Sequence, residues 1–108
     1  MEIVFTHQAV KDFEKIKQNP SLRKKVVSLL ELIENNPFQN PPSYEKLIGF
    51  EGVYSRRINL HHRLVYQVYD EKGVVKIIRM WTHYENIWDI KISIIIRELM
   101  IMLFYFLI

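Results

Sequence analysis

The chain has 108 residues, of which 49% are hydrophobic and 25% charged, and its formal net charge is +3. This length fits one domain and is too short for two, and the absence of cysteine excludes disulfide bonds and cysteine-based zinc sites. The mild positive charge predicts only a modest attraction to nucleic acid unless cations are focused in one patch. The first residues lack the basic and apolar regions of a secretory signal, so we expect a cytoplasmic protein.

The first part of the chain predicts a strand followed by two helices. Residues 2–5 are typical of a short strand, and Thr6 is suited to cap the helix that follows. Asn19 and Pro20 are favoured at the start of a second helix, which Pro37 ends. Apolar residues recur at helical spacing in both segments: Ala9, Val10, Phe13 and Ile16, then Leu22, Val26, Leu29, Leu30 and Ile33.

The second part predicts a loop and then three strands. Residues 37–53 are rich in proline and glycine and are predicted as a loop, with room for a short extended piece. Alternation predicts strands at Tyr54–Leu60, Arg63–Tyr69 and Val74–Thr82, with turns at Asn59–His62 and Asp70–Gly73. The predicted fold class is therefore α+β, with two N-terminal helices packed on a small, mostly antiparallel sheet in the order β-α-α-β-β-β.

The polar positions of these predicted strands are unusually basic. Arg57 falls on one face of its strand and Arg63 on one face of the next, while Arg79, Trp81 and His83 share one face of the last. If the faces coincide, one side of the sheet presents cations, an aromatic ring and an imidazole. The pairing register is not fixed by the sequence, so this is a hypothesis. For any single arginine the alternative is a solvated face paired with a nearby carboxylate.

This combination suits cleavage of RNA by its own 2′-OH group. The reaction needs a base for the 2′-OH proton, an acid for the leaving 5′-oxygen, cations for the phosphate and a group that holds the nucleotide in line. The candidates are Glu45 as base, His83 as acid, Arg57 and Arg63 as charge stabilisers, and Trp81 or Tyr84 as the stacking ring. No metal or other cofactor is expected, because no carboxylate or third histidine lies at a useful spacing from His61-His62.

The run from Tyr54 to Tyr66 resembles the "SRRI…HRLVY" signature of the YoeB/Txe toxins of the RelE superfamily. Asn36-Pro37-Phe38, the Glu45 loop and His83-Tyr84 match other parts of the same pattern, so the resemblance covers residues 1–84. It implies a compact RelE-like, microbial-ribonuclease-like fold. It also implies an endoribonuclease that enters the ribosomal A site and cuts mRNA to a 2′,3′-cyclic phosphate, and that a cognate antitoxin neutralises.

The resemblance also implies roles for single residues. Glu45 corresponds to the general base, Arg63 to the phosphate-stabilising arginine, His83 to the general acid and Tyr84 to the adjacent terminal tyrosine. The residues expected to contact RNA are Lys46, Arg56, Arg57, Arg79 and Trp81. Family members often place a lysine near the position of Ile48, so that cationic contact is either lost here or supplied by Lys46. The expected partners are mRNA on the 30S A site and a YefM/Axe-like antitoxin, with a homodimer in that complex and no membrane.

Residues 85–108 depart from the family pattern, which ends at or just after His-Tyr. They end in the apolar run Leu99–Ile108, which is too short to span a bilayer. Three interpretations remain: an out-of-frame or read-through extension, which we favour, an added helix over an apolar surface, or a partner or membrane-surface anchor. The functional alternative is a non-catalytic or inactivated protein on the RelE/ParE scaffold, acting through an antitoxin or another partner.

Overall fold

The computed structural model describes residues 1–81, which hold two helices and one five-stranded sheet. His83, Tyr84 and the extension 85–108 lie outside the described residues. In chain order the elements are β1 (Glu2–Phe5), α1 (His7–Ile16), α2 (Pro20–Asn35), β2 (Glu45–Lys46), β3 (Val53–Arg57), β4 (Arg63–Tyr69) and β5 (Val74–Arg79), with a 3₁₀ turn at Asp70–Lys72. The predicted α+β class is confirmed, and β2 is an additional short strand within the predicted loop.

Both helices begin where the sequence predicts. The Thr6 side chain accepts a hydrogen bond from the Ala9 N–H at 3.0 Å, and its hydroxyl donates to the Ile78 carbonyl, which ties α1 to β5. The Asn19 side chain accepts from the Leu22 N–H at 3.1 Å, and Pro20 occupies the first position of α2. The caps satisfy N–H groups that have no partner within the helix.

The sheet has the strand order β1-β5-β4-β3-β2, in which β1 pairs with β5 in parallel and the other pairs are antiparallel. β3 ends at Arg57 rather than at Leu60, because the Asn59 side chain accepts the N–H groups of His61 and His62 and closes a turn. The turn before β5 ends at Gly73, whose φ of 64° agrees with the conformation predicted there.

The two faces of the sheet differ in what covers them. The face towards α1 and α2, here called the helix face, carries Leu64, Tyr66, Val75 and Ile77 into the main core with both helices. The opposite side is here called the outer face. It holds a smaller apolar cluster, made of Leu47, Val53, Val65 and Ile78. Within residues 1–81, neither helix is long and apolar enough to cross a membrane.

Candidate active site

The outer face brings Glu45 and Arg63 together from two different strands. Arg63 Nη2 lies 3.5 Å from Glu45 Oε2, and the Arg63 Nε–H donates to Ser55 Oγ at 2.6 Å. The pairing register explains this convergence, because Glu45 lies opposite Ser55 and Ser55 lies opposite Val65, two residues from Arg63. The Glu45 side chain is 62% exposed and that of Arg63 19%, so the carboxylate is open to a ligand while the guanidinium is partly enclosed.

Arg57 adds a second guanidinium to the same face. It is the cross-strand partner of Arg63, and it is exposed at the end of β3. Side chains directly opposite on antiparallel strands have Cβ atoms about 4.5–5.5 Å apart, so the two arginine side chains start close together on this face. Such a pair is destabilising by itself and favours an anion between or above the two groups. The arrangement is chemically suited to a phosphate that approaches the Glu45 carboxylate.

Arg56, which was expected to contact RNA, lies on the helix face and has no exposed surface. Its guanidinium donates to the Tyr66 hydroxyl at 3.0 Å. It also donates to the main-chain carbonyls of Pro37, Gln39 and Pro42. The expectation for Arg56 is corrected accordingly, because a phosphate would reach this guanidinium only if the core opened. Arg56 instead fastens the loop after α2 to the sheet.

The hydroxyl of Tyr66 completes the same buried network. It donates to the Pro37 carbonyl at 2.8 Å while it accepts from Arg56. Burial raises the pKa of Tyr66 above 10.0, and the nearby positive charge of Arg56 opposes that shift only in part. Tyr66 therefore stays protonated and serves as a structural donor at neutral pH.

Arg79 does not join Arg57 and Arg63, which corrects the expected common face. Its Nε–H donates to Asp12 Oδ2 of α1 at 2.9 Å, and the same oxygen accepts the Met80 N–H at 2.9 Å. Arg79 has the same parity along β5 as Val75 and Ile77, which point into the main core, so strand alternation places it on the helix face. The sequence grouped Arg79 with Trp81 on one face, but it could not show that this face is turned towards the helices.

Asp12 is a buried carboxylate that the sequence reasoning missed. It is fully buried in α1, among positions predicted only from their apolar spacing. Burial acts to raise its pKa, but hydrogen bonds from Arg79, Met80, Gln8 and Trp81 outweigh burial and lower the pKa below 3.8. Asp12 therefore stays ionised at neutral pH and anchors the end of β5.

Trp81 is partly buried against the main core, and its ring stacks on that of His62 with centroids 4.0 Å apart and an interplanar angle of 27°. The predicted role of Trp81 in stacking on RNA stays a prediction. The stack has a positional consequence, since His62 directly precedes Arg63. The chain therefore leaves the described region at Trp81 close to the start of β4.

Lys46 lies next to Glu45 in β2 and therefore falls on the other side of the sheet. It pairs across strands with Tyr54 and lines a cleft of about 540 Å³ that includes Phe38, Tyr54 and Tyr69. The structure does not bring Lys46 to the Glu45–Arg63 pair. Its predicted RNA contact would have to be made on that second side.

Ser55 is the other residue that the sequence reasoning missed. Ser55 is two residues before Arg57 in the predicted strand and therefore falls on the same face, which could have marked it as a site residue. A serine in a strand, however, carries little functional information by itself. Among residues 1–81, no group of three or more histidine and acidic side chains is placed to hold a metal ion.

The fold and this outer-face site define a class of protein, the small toxins with a RelE-like α+β fold. The chain superposes on the YoeB/ParE toxin from Agrobacterium tumefaciens with a TM-score of 0.71 at 29% identity, covering 78% of this chain and 100% of that one. The YoeB dimer and the YoeB–YefM complex from Staphylococcus aureus match at 39% identity. Their TM-scores are 0.67 and 0.66, and each match covers 78% of this chain and 98% of that one.

The sequence comparisons specify the family. A family model described as YoeB-like toxin of bacterial type II toxin-antitoxin system matches residues 5–84. Toxin YoeB from Synechocystis sp. is 36% identical over 88 residues, which cover 80% of this chain and 100% of that protein. The chain therefore belongs to the YoeB-like toxins of type II toxin-antitoxin systems, and the resemblance found in the sequence is confirmed.

Proposed function

We propose that this toxin is a ribosome-dependent endoribonuclease, which cuts mRNA in the ribosomal A site and so inhibits translation. The observation that carries the proposal is the 3.5 Å approach of Glu45 Oε2 to Arg63 Nη2 on an exposed sheet face, with Arg57 opposite Arg63. A base beside two guanidinium groups matches the needs of 2′-OH attack on a phosphodiester.

In this mechanism the Glu45 carboxylate removes the 2′-OH proton, and the 2′-oxygen attacks the adjacent phosphorus. The bond from phosphorus to the 5′-oxygen breaks, which leaves a 2′,3′-cyclic phosphate and a 5′-hydroxyl. Arg63 and Arg57 stabilise the negative charge that builds on the phosphate oxygens. Removing one preorganised donor of this kind typically costs about 10²–10³ in rate.

His83 is proposed to protonate the leaving 5′-oxygen, with Tyr84 beside it. Both residues lie outside the described part of the chain, so support comes from where that part ends. Val65 pairs with Arg79, and Trp81 stacks on His62, so the described part of the chain ends close to Arg63. His83 is only two residues further along the sequence than Trp81, which supports its assignment as the acid.

The ribosome is proposed to supply the RNA geometry. A net charge of +3 gives the protein a weak grip on free RNA, because affinity depends on the number of phosphates that it neutralises. Fewer cations are available to RNA than the sequence suggests, because Arg56 is buried and Arg79 pairs with Asp12. We therefore expect efficient cleavage of translated mRNA and little cleavage of the same RNA in free solution.

The proposed partner is a YefM-like antitoxin, since a YoeB–YefM complex is among the similar structures. An acidic antitoxin segment over Arg57 and Arg63 would offset their charges and block the approach of RNA. A homodimer within that complex is proposed in the same way, from the YoeB dimer of Staphylococcus aureus. Both the toxin and its complex are proposed to act in the cytoplasm, where ribosomes are.

The proposal is tested in a purified translation system by mapping cleavage of an mRNA with and without ribosomes. Glu45→Gln and His83→Ala should each reduce ribosome-dependent cleavage by about 10²–10⁴. Glu31→Gln on the exposed side of α2 and His7→Ala at the start of α1 are matched controls, and both should cleave like the wild type.

Undiminished cleavage by Glu45→Gln would remove the base from the mechanism, and undiminished cleavage by His83→Ala would remove the acid. If the wild-type chain cuts no translated mRNA but still binds an antitoxin, the protein is a non-catalytic member of the family. If the full-length chain is inactive but a variant without residues 85–108 cleaves translated mRNA, the extension is the cause of the inactivity.

A further inference from the structure

The hydroxyl of Ser55 makes a short hydrogen bond with the Arg63 guanidinium. Ser55 Oγ accepts from Arg63 Nε at 2.6 Å, and Ser55 is 1% exposed. The guanidinium also approaches Glu45, at 3.5 Å, and the Glu45 side chain is 62% exposed. The buried partner is thus the closer one, and the exposed partner is the one that a substrate could displace.

The strand register explains why a serine at this position can act on both groups. Ser55 is in the middle of β3, directly opposite Glu45 of β2 on one side and Val65 of β4 on the other. Arg63 lies two residues before Val65 on the same face, so its side chain must cross β3 to approach Glu45. The Ser55 hydroxyl lies on that path.

We propose that Ser55 is a positioning residue, which holds the Arg63 guanidinium through its Nε–H so that the terminal Nη groups point towards Glu45 and the scissile phosphate. The inference rests on the proposed function, because it assumes that Arg63 stabilises the charge on that phosphate. Ser55 itself does not contact the RNA.

The physical reason is the freedom of the arginine side chain. An unrestrained arginine loses rotamer entropy when it is fixed, and it must do so during binding unless the protein has fixed it beforehand. One hydrogen bond at Nε sets the position and the plane of the guanidinium and leaves the two Nη groups to face an anion side by side. Displacements of about 1 Å in such groups can reduce rates about 10²-fold.

The proposal is tested by a double-mutant cycle in the full-length protein, with ribosome-dependent cleavage of a defined mRNA as the readout. The four proteins are the wild type, Ser55→Ala, Arg63→Ala and the double variant. Ser55→Ala should lower kcat about 10–100-fold with a smaller change in KM, because preorganisation acts on the transition state. In the Arg63→Ala background the same substitution should change nothing further, since the group that it positions is absent.

Two further variants separate positioning from a general structural role. Ser55→Thr keeps the hydroxyl and fits a β-strand, so it should restore most of the activity that Ser55→Ala loses. Ser28→Ala, on the exposed side of α2, is the matched control and should be as active as the wild type. Equal losses in Ser55→Ala and Ser55→Thr would overturn the proposal, as would a Ser55→Ala effect of the same size with and without Arg63.

A direct measurement keeps the proposal testable even if Ser55→Ala folds poorly. In the wild-type protein, the Arg63 Nε–H proton should exchange with water much more slowly than that of Arg23, which is exposed on α2. NMR of the arginine Nε–H groups reports both rates in one sample. Exchange at Arg63 as fast as at Arg23 contradicts the proposed hydrogen bond.

The outcomes also distinguish this proposal from the function on which it rests. If Arg63→Ala cleaves as well as the wild type, the assigned role of Arg63 fails and Ser55 has nothing to position. If Arg63→Ala loses activity while Ser55→Ala keeps it, the proposed function stands and the role of Ser55 is refuted.

Discussion

Arg56 and Arg57 are adjacent in the sequence, yet they lie in very different environments on opposite faces of the sheet. Arg56 is fully buried on the helix face, where a hydroxyl and three carbonyls accept its hydrogen bonds. Arg57 is exposed on the outer face, opposite Arg63. The same side chain thus stabilises the fold in one position and is available for a ligand in the next. The comparison teaches that a basic sequence does not by itself define a basic surface.

The largest effect on stability is expected from Arg56→Ala. The substitution leaves the Tyr66 hydroxyl and the carbonyls of Pro37, Gln39 and Pro42 without this donor in a buried place. Leaving one buried polar group without its partner typically costs about 1–3 kcal/mol, and several groups are affected here, so the loss is a large part of the stability of a small domain. Urea unfolding followed by circular dichroism measures the change. A loss below about 1 kcal/mol would contradict the structural role assigned to Arg56.

Arg63→Ala should give the reverse pattern, with a large loss of activity and a small loss of stability. Cleavage of translated mRNA should fall about 10²–10³-fold, because a charge-stabilising donor is lost. The partly exposed ion pair with Glu45 should contribute at most about 1 kcal/mol to the free energy of unfolding. Arg23→Ala is the matched control on an exposed helix surface. Strong destabilisation of the Arg63→Ala protein would contradict the prediction that this outer-face arginine contributes little to stability.

Asp12→Asn tests the helix face in a second place. At pH 7 it should lower the free energy of unfolding by about 1.5–3 kcal/mol, since the charged partner of Arg79 is lost. The folded-state pKa of Asp12 lies below 3.8, so its stabilising contribution is present above pH 3.8 and declines as the pH falls through the lower folded-state value. Unfolding in urea at pH 7 and at about pH 3 should therefore show a difference that shrinks in acid. A difference independent of pH would refute this explanation.

The smallest effect is expected from replacing a single exposed cation by alanine. The effect on the salt dependence of RNA binding should differ between the two sides of the sheet. Arg57→Ala removes one proposed phosphate contact, so the slope of log affinity for RNA against log salt should fall by about 0.7. Lys46→Ala should change that slope less, because Lys46 faces the cleft with Phe38 and Tyr54 rather than the Glu45–Arg63 pair. Binding of the inactive Glu45→Gln protein to RNA on ribosomes, measured over a range of salt, gives both slopes. If Arg57→Ala and Lys46→Ala lower the slope equally, RNA contacts both sides of the sheet, contrary to this prediction.

Much of the fold could be predicted from local patterns. Thr6 and Asn19 cap the helices that they were expected to cap, and Gly73 takes the positive φ expected of it. The core stripe of α2 contains Leu22, Val26, Leu29 and Ile33, as the spacing indicated. In α1 the same reasoning was less successful, because Val10 is 48% exposed while Asp12 is buried. Apolar spacing identifies the buried side of a helix but does not identify a buried carboxylate whose partner is distant in sequence.

The candidate site was likewise only partly predictable from the sequence. The residue types that RNA cleavage needs, and the motif around Arg57 and Arg63, could be recognised in the sequence, and they indicated the right family. The tertiary structure decided which cations share a face with Glu45. The pairing register placed Ser55 between Glu45 and Arg63, the packing of the helices on one face of β5 brought Asp12 to Arg79, and the loop after α2 closed over Arg56. Helix caps and turns depend on neighbours a few residues away, whereas register, bulges and burial depend on contacts between segments far apart in the chain.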